Sequence, residues 1–215
     1  MYSRTDILSA LPDNFIPIWY RSMFRGNAVQ RILSAHPECA WEKEWCASSD
    51  PSNVSPLDFP ETHEAFAGSE EMYEKLGKAE SHAWAHTGFG LHDLSRETIK
   101  KFKRAIQTHS DKLVFFSLHP NSDSIVGNNS RNVFLYSSEP FTRPFKVKRD
   151  TIVIPPIDHP SVFNIDIAKL FSDDYKTFLH EYSQIVDHFK FTPKTNAVRA
   201  FILRYLEREQ YVSTL

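Results

Sequence analysis

A chain of 215 residues suits one domain, since a single core serves chains of up to roughly 250 residues. With 41% apolar and 24% charged residues the composition excludes a disordered polypeptide. The net charge of −2 and the lack of a long basic run argue against nucleic acid as a partner, because phosphate-backbone binding rests on clustered Lys and Arg.

No apolar run nears the roughly 20 residues that span a bilayer, and Met1-Tyr2-Ser3-Arg4 starts no signal peptide. Two cysteines, Cys39 and Cys46, make no disulfide framework and match no zinc spacing. The expectation is a single cytoplasmic domain over residues 1–215, with no membrane partner. The densest basic stretch, Lys100, Lys101, Lys103 and Arg104, reads as a solvated helix face.

In chain order, Asn14 to Tyr20 is apolar and β-prone and reads as a buried strand despite Pro17. A turn with Gly26 follows. Ala28, Val29, Ile32 and Leu33 then share one helix face, and the helix stops at Pro37. Residues 46–68, with Pro51, Pro56 and Pro60, read as a long loop of the kind used as a lid. Glu70 to Lys78 reads as a short helix.

Ser95 suits a helix N-cap, with Leu94 and Ile99 as a hydrophobic staple. Lys112 to Leu118 reads as a second buried strand, stopped by His119-Pro120. Arg131 to Tyr136, Thr151 to Ile154 and Ser161 to Ile165 are further strand candidates. Ser172 is placed as the cap of a helix whose stripe runs Tyr175, Phe178, Leu179, Tyr182, Ile185, Val186, Phe189. Thr192-Pro193 is placed as the N-cap and first position of a last helix. Helices between the main strands favour a three-layer α/β fold with a mostly parallel sheet flanked by helices. Ligands of such sheets bind beyond the carboxyl ends of the strands, so the turn from Arg21 to Asn27 is the first candidate site.

A strand–turn–helix aims backbone N–H groups and the positive helix end at one point. In the segment Tyr20-Arg21-Ser22-Met23-Phe24-Arg25-Gly26-Asn27, Gly26 permits close backbone approach. Ser22 and Asn27 offer hydrogen bonds to an anion, and Arg21 and Arg25 offer charge.

The turn and the helix after it, Gln30-Arg31-Ile32-Leu33 followed by Ala35-His36-Pro37, resemble the PAPS-dependent sulfotransferases. Those proteins carry a basic–Ser–Gly–Thr/Asn turn between a first strand and an apolar helix that often ends in Ala-His-Pro. Phe24 and Arg25 stand where the family has its basic residue and Ser, and the Gly-to-His spacing is one residue shorter.

The resemblance implies a P-loop NTPase/sulfotransferase-like fold and PAPS (3′-phosphoadenosine 5′-phosphosulfate) as cosubstrate, with no metal. It also implies a small-molecule or glycan acceptor. Gly26 and Asn27, with Arg25, would cradle the phosphosulfate. A family Glu after His-Pro takes the acceptor's proton, and Glu42 and Glu44 lie near that point. The family's second strand ends in residues that bind the 3′-phosphate, where this sequence has His119 and Ser124. The order of elements is similar from about residue 15 to 210.

Three other readings stand beside it. The first is a non-catalytic nucleotide- or anion-binding or interaction module that kept the fold. The second is a metal-dependent enzyme using His82, His86 and His92 with Asp93, which supply imidazoles and a carboxylate for zinc or iron. The third pairs Cys39 or Cys46 with His63 or His92 as a thiol nucleophile, with no local sign of an activated thiolate.

Overall fold

The computed structural model of the chain describes residues 4–20, 25–42, 55–57, 89–91, 95–118, 131–141 and 152–214. In chain order these residues form α1 (Arg4–Ser9), β1 (Phe15–Trp19), α2 (Gly26–Ser34), α3 (Arg96–Thr108), β2 (Val114–Leu118) and β3 (Asn132–Phe141). They continue with β4 (Ile152–Ile154), β5 (Val162–Asp166), α4 (Ile167–Leu170), α5 (Tyr175–Phe189) and α6 (Thr195–Thr214). The expected helix at 70–78 lies outside the described residues.

The fold is α/β, with a mixed, mostly parallel open sheet flanked by helices. β1 is central. It pairs parallel with β2 from Phe15↔Val114 to Trp19↔Leu118, and parallel with β3 at Ile18↔Val133 and Trp19↔Phe134. β5 pairs parallel with β3 from Asn132↔Val162 to Tyr136↔Asp166, and β4 is antiparallel to β3. β1 and β2 are buried along their whole length, which explains why both read as continuous apolar runs.

A proline in a central strand removes a ladder donor. Here the loss is small. The amides of β1 that face β2 alternate with those that face β3 (Tyr20 N–H, for one, reaches the Leu118 carbonyl). Pro17 is therefore on the β3 side, where pairing starts only at Ile18.

The far edge of β2 is covered by two short pieces of chain. Cys39 bridges Leu113 and Gly90 bridges Ser117, both parallel. Between them the Phe115 carbonyl faces the same edge, and a side chain completes the ladder. Gln30, fully buried on α2, donates from Nε2 to the Phe115 carbonyl (2.7 Å) and the Phe89 carbonyl (2.8 Å). Its Oε1 accepts from Ser117 Oγ (2.7 Å). A buried amide with all three bonds made is stabilising, whereas the same group left unpaired is costly.

Two helix starts differ from expectation. α5 is capped by Asp174, whose Oδ2 accepts from Thr177 N–H at 2.7 Å. Ser172 sits two residues earlier and accepts from Asp174 N–H. A carboxylate at this position also meets the positive helix end, which favours it over a hydroxyl. α6 begins at Thr195, with Val198 N–H donating to the Lys194 carbonyl. Thr192 does not cap it, since it lies three residues before the first helical residue, and its N–H and Oγ both donate to Glu38 Oε1. Ser95 caps α3 as expected, accepting from Thr98 N–H.

Candidate functional site

In the parallel sheet β1 has β2 on one side and β3 on the other. The chain direction across the sheet therefore reverses at β1, and such a switch point opens a crevice beyond the strand ends. The turn that leaves β1 and enters α2 lies at this crevice. Of its residues, Arg21 and Ser22 lie outside the described residues, while Arg25, Gly26 and Asn27 are described.

Arg25 is the N-cap of α2 and has φ 53° and ψ 23°, in the left-handed region; Gly26 then starts the right-handed helix. Successive residues of opposite hand turn their amides toward one concavity, a geometry that receives anions. The Arg25 side chain makes no cap bond. Its guanidinium lies over the Phe171 ring, 4.5 Å from the centroid, and 5.9 Å from that of Tyr205. A non-glycine residue in the left-handed region costs roughly 1–2 kcal/mol. A cation over an aromatic face returns about 0.5–2 kcal/mol, so the two effects are of the same size.

Gly26 has a separate reason to be glycine. Its φ is not positive. A Cβ built on it falls within 3.0 Å of Cδ1, Cε1 and Cζ of Tyr20, closer than real Cβ atoms come. The Tyr20 ring, 3% exposed, fills the side-chain side of Gly26. The helical amides instead project along the axis from the N-terminal end. Burial pushes the Tyr20 phenol up to about 12, against a smaller opposing effect of its hydrogen bond with Ser117.

Asn27 is joined to this packing. Its Oδ1 is 3.4 Å from the Tyr20 hydroxyl and 3.3 Å from Ser117 Oγ. The single Ser117 proton is better spent on Gln30 Oε1, the shorter contact. Tyr20, half-buried Asn27, Ser117 and Gln30 thus form one polar chain from the turn to the edge of β2.

The structure does not bring Glu42 to the turn. α2 runs back along the sheet, and Glu42 lies beside the start of β2, where its Oε1 pairs with His109 Nε2 at 2.6 Å. The carbonyl of His109 accepts from Asn14 Nδ2 (2.8 Å), just ahead of β1. Five strand residues separate this end from the turn, about 16 Å at 3.3 Å per residue. Glu44, His119 and Ser124 lie outside the described residues, as do His82, His86, His92, Asp93, His63 and Cys46.

Ala35-His36-Pro37 docks α2 on the C-terminal third of the chain. His36, 2% exposed, stacks on Phe191 at 4.2 Å, and its Nδ1 donates to the Thr192 carbonyl at 2.9 Å. Glu38 takes both donors of Thr192. Burial holds the His36 imidazole below its usual range; the Thr192 bond and the Glu38 charge oppose this, and Lys194 adds to it. Cys39 is buried, and burial pushes its thiol well above the usual range. A thiol in that setting is a poor nucleophile.

A second polar cluster sits where β5 enters α4. Asp166, fully buried, accepts from Ser138 and Ala168 N–H and lies 3.4 Å from Lys169 Nζ. Glu181 accepts from Asp166 N–H at 2.8 Å, and burial raises its carboxyl. Asp166 Oδ1 and Glu181 Oε1 bind backbone amides and hold the strand–helix corner, while the buried Asp166 Oδ2 faces the Lys169 ammonium.

Sequence reasoning missed Tyr20, Gln30, Ser117, Phe171 and Tyr205. Only Gln30 carried a local trace, as an uncharged polar residue next to the apolar face of Ala28, Val29, Ile32 and Leu33.

Among the described residues no group of three or more His, Cys, Asp or Glu is placed to hold a metal ion, and no helix is long and apolar enough to cross a membrane. No family model, no curated protein and no solved structure matches the chain.

Proposed function

We propose that the chain is a sulfotransferase-like cytoplasmic protein of the P-loop type that binds PAPS at the turn of Arg25, Gly26 and Asn27. It passes the sulfuryl group to a hydroxyl or amine of a small molecule or glycan. The observation that carries the reading is the left-handed Arg25 followed by helical Gly26 at the switch point of the sheet.

In sulfuryl transfer the bond from sulfur to the bridging phosphate oxygen breaks and a bond to the acceptor forms. Negative charge grows on the leaving phosphate and on the sulfuryl oxygens. Amides fixed before the reaction, together with the positive end of α2, stabilise that charge without reorganising. The acceptor also loses a proton. In this arrangement Glu42 does not receive it, being at the strand-start end of the sheet.

That position favours the second reading, binding without transfer. Asn27 also supports it, since its Oδ1 is engaged with the Tyr20 hydroxyl.

Thermal unfolding with 3′,5′-adenosine bisphosphate tests both. Binding stabilises by about 2.7 kcal/mol at a hundredfold excess over Kd. A shift together with transfer of labelled sulfate from PAPS to any acceptor establishes the enzyme. A shift without transfer establishes the module. No shift at millimolar nucleotide removes both.

A further inference from the structure

We propose that Phe171 and Tyr205 are positioning residues that hold Arg25 in its left-handed conformation and so keep the amides of the turn converged. The proposal rests on the anion-binding reading above.

Arg25 is the described residue nearest the switch point with a positive φ, and it is not a glycine. The left-handed region is disfavoured for a side chain with a Cβ, so a contact that the side chain makes only in that conformation helps to hold it there. Its guanidinium provides the hold, lying over Phe171 and near Tyr205.

The seat itself is packed against the core. Phe171 is 4% exposed and closes α4, with its N–H bonded to the Ile167 carbonyl at 3.1 Å. Its ring lies 5.6 Å from that of Tyr205, on α6. The side chain thus reaches across to α4 and α6. What Arg25 gives the anion is the direction of the backbone more than the charge of its guanidinium. An arginine suits this task because its planar cation stacks on aromatic faces better than a lysine ammonium does.

The test compares two variants that both lack the charge. Glycine adopts a positive φ at little cost, whereas alanine does not. The dissociation constant of 3′,5′-adenosine bisphosphate is measured by calorimetry. Arg25→Gly is expected to bind at least fivefold more tightly than Arg25→Ala. Tyr205→Leu is expected to weaken binding at least fivefold in the otherwise native chain, and less than twofold in the Arg25→Gly background. Tyr205→Phe, which keeps the ring, restores native affinity. Equal binding by the two Arg25 variants, or an equal loss from Tyr205→Leu in both backgrounds, overturns the proposal.

Urea unfolding of the same proteins without ligand reads the coupling independently. Should the native chain bind no nucleotide, a Tyr205→Leu loss in midpoint that is clearly smaller in the Arg25→Gly background still supports the positioning role, the remainder being the packing of the ring on Phe171 and Phe201. In that case the anion-binding reading alone fails. Additive midpoints overturn the positioning role whatever the ligand result.

Discussion

Gly26→Ala is the substitution on which the packing of the turn is most exposed to test. The added methyl group meets three atoms of the Tyr20 ring at under 3.0 Å, where ordinary contacts lie at 3.4–4 Å. The ring cannot swing into solvent, being 3% exposed and joined through its hydroxyl to Asn27. Forcing one extra carbon into such a site costs about 1–3 kcal/mol. A ring pushed off its rotamer accounts for about 0.5–1.5 kcal/mol of this. Alanine returns part of the loss through helix propensity, about 1 kcal/mol at most and less in the first turn.

The net expectation is a loss of about 1–2 kcal/mol. For a domain of this length that is a fall in Tm of about 2–8 °C. Urea unfolding followed by circular dichroism measures the loss directly. The control is Tyr20→Leu, in whose background Gly26→Ala should cost less than about 0.5 kcal/mol, because the coupled partner is gone. If Gly26→Ala is neutral or stabilising in the native background, the Tyr20 ring does not rest on Gly26 and the account of this glycine is wrong.

Gln30→Leu should cost about 2–4 kcal/mol in urea, because it strips the Phe115 carbonyl and Ser117 hydroxyl of their partner in a buried site; a loss under 1 kcal/mol contradicts the ladder-completing role. Glu42→Gln should lower stability by no more than about 1 kcal/mol through its bond with His109 and leave nucleotide affinity unchanged. A tenfold fall in transfer rate at unchanged Tm would instead return Glu42 to the chemistry.

His36 predicts a pH dependence. Its imidazole is held below the ordinary value of about 6.5 by burial, so the unfolded chain takes up its proton first. The stability tied to neutral His36 is full above that pH and is lost as pH falls below it, by up to about 1.4 kcal/mol per pH unit. Urea midpoints from pH 7.5 to 5.5 should fall more steeply for the native chain than for His36→Gln; parallel slopes refute the assignment.

The parts of the fold legible in the sequence are those with a local cause. β1 and β2 were expected over Asn14 to Tyr20 and Lys112 to Leu118 and occupy Phe15–Trp19 and Val114–Leu118. Strands buried on both faces need apolar residues at every position, and that pattern survives in the sequence. The stripe of α5 is similar, with Phe178, Tyr182 and Ile185 buried, although Tyr175 at its head is 49% exposed.

The caps were harder to read. Ser172 and Asp174 are both good cap residues two positions apart, and only the position at which the chain leaves α4 decides between them. The contacts of Arg25 with Phe171 and Tyr205 leave no trace, because neither partner is near it in sequence. The separation of Glu42 from the turn was within reach. A helix of nine residues spans about 13 Å at 1.5 Å per residue, and it carries whatever follows Ala-His-Pro to the other end of the sheet.

The turn that reads as one cradle in the sequence contains two devices with different physical causes. Gly26 is small because Tyr20 rests against it, so substitutions there act first on stability. Arg25 is bent because aromatic rings on α4 and α6 hold its side chain, so substitutions there act first on how the amides converge. The two devices meet in α2, whose other end is tied to Thr192 by His36 and Glu38. The helix is therefore fixed to the C-terminal third at both ends, at Phe171 and Tyr205 on one side and at Thr192 on the other. Variants at Gly26 should show first in unfolding free energy, and variants at Arg25 first in anion affinity.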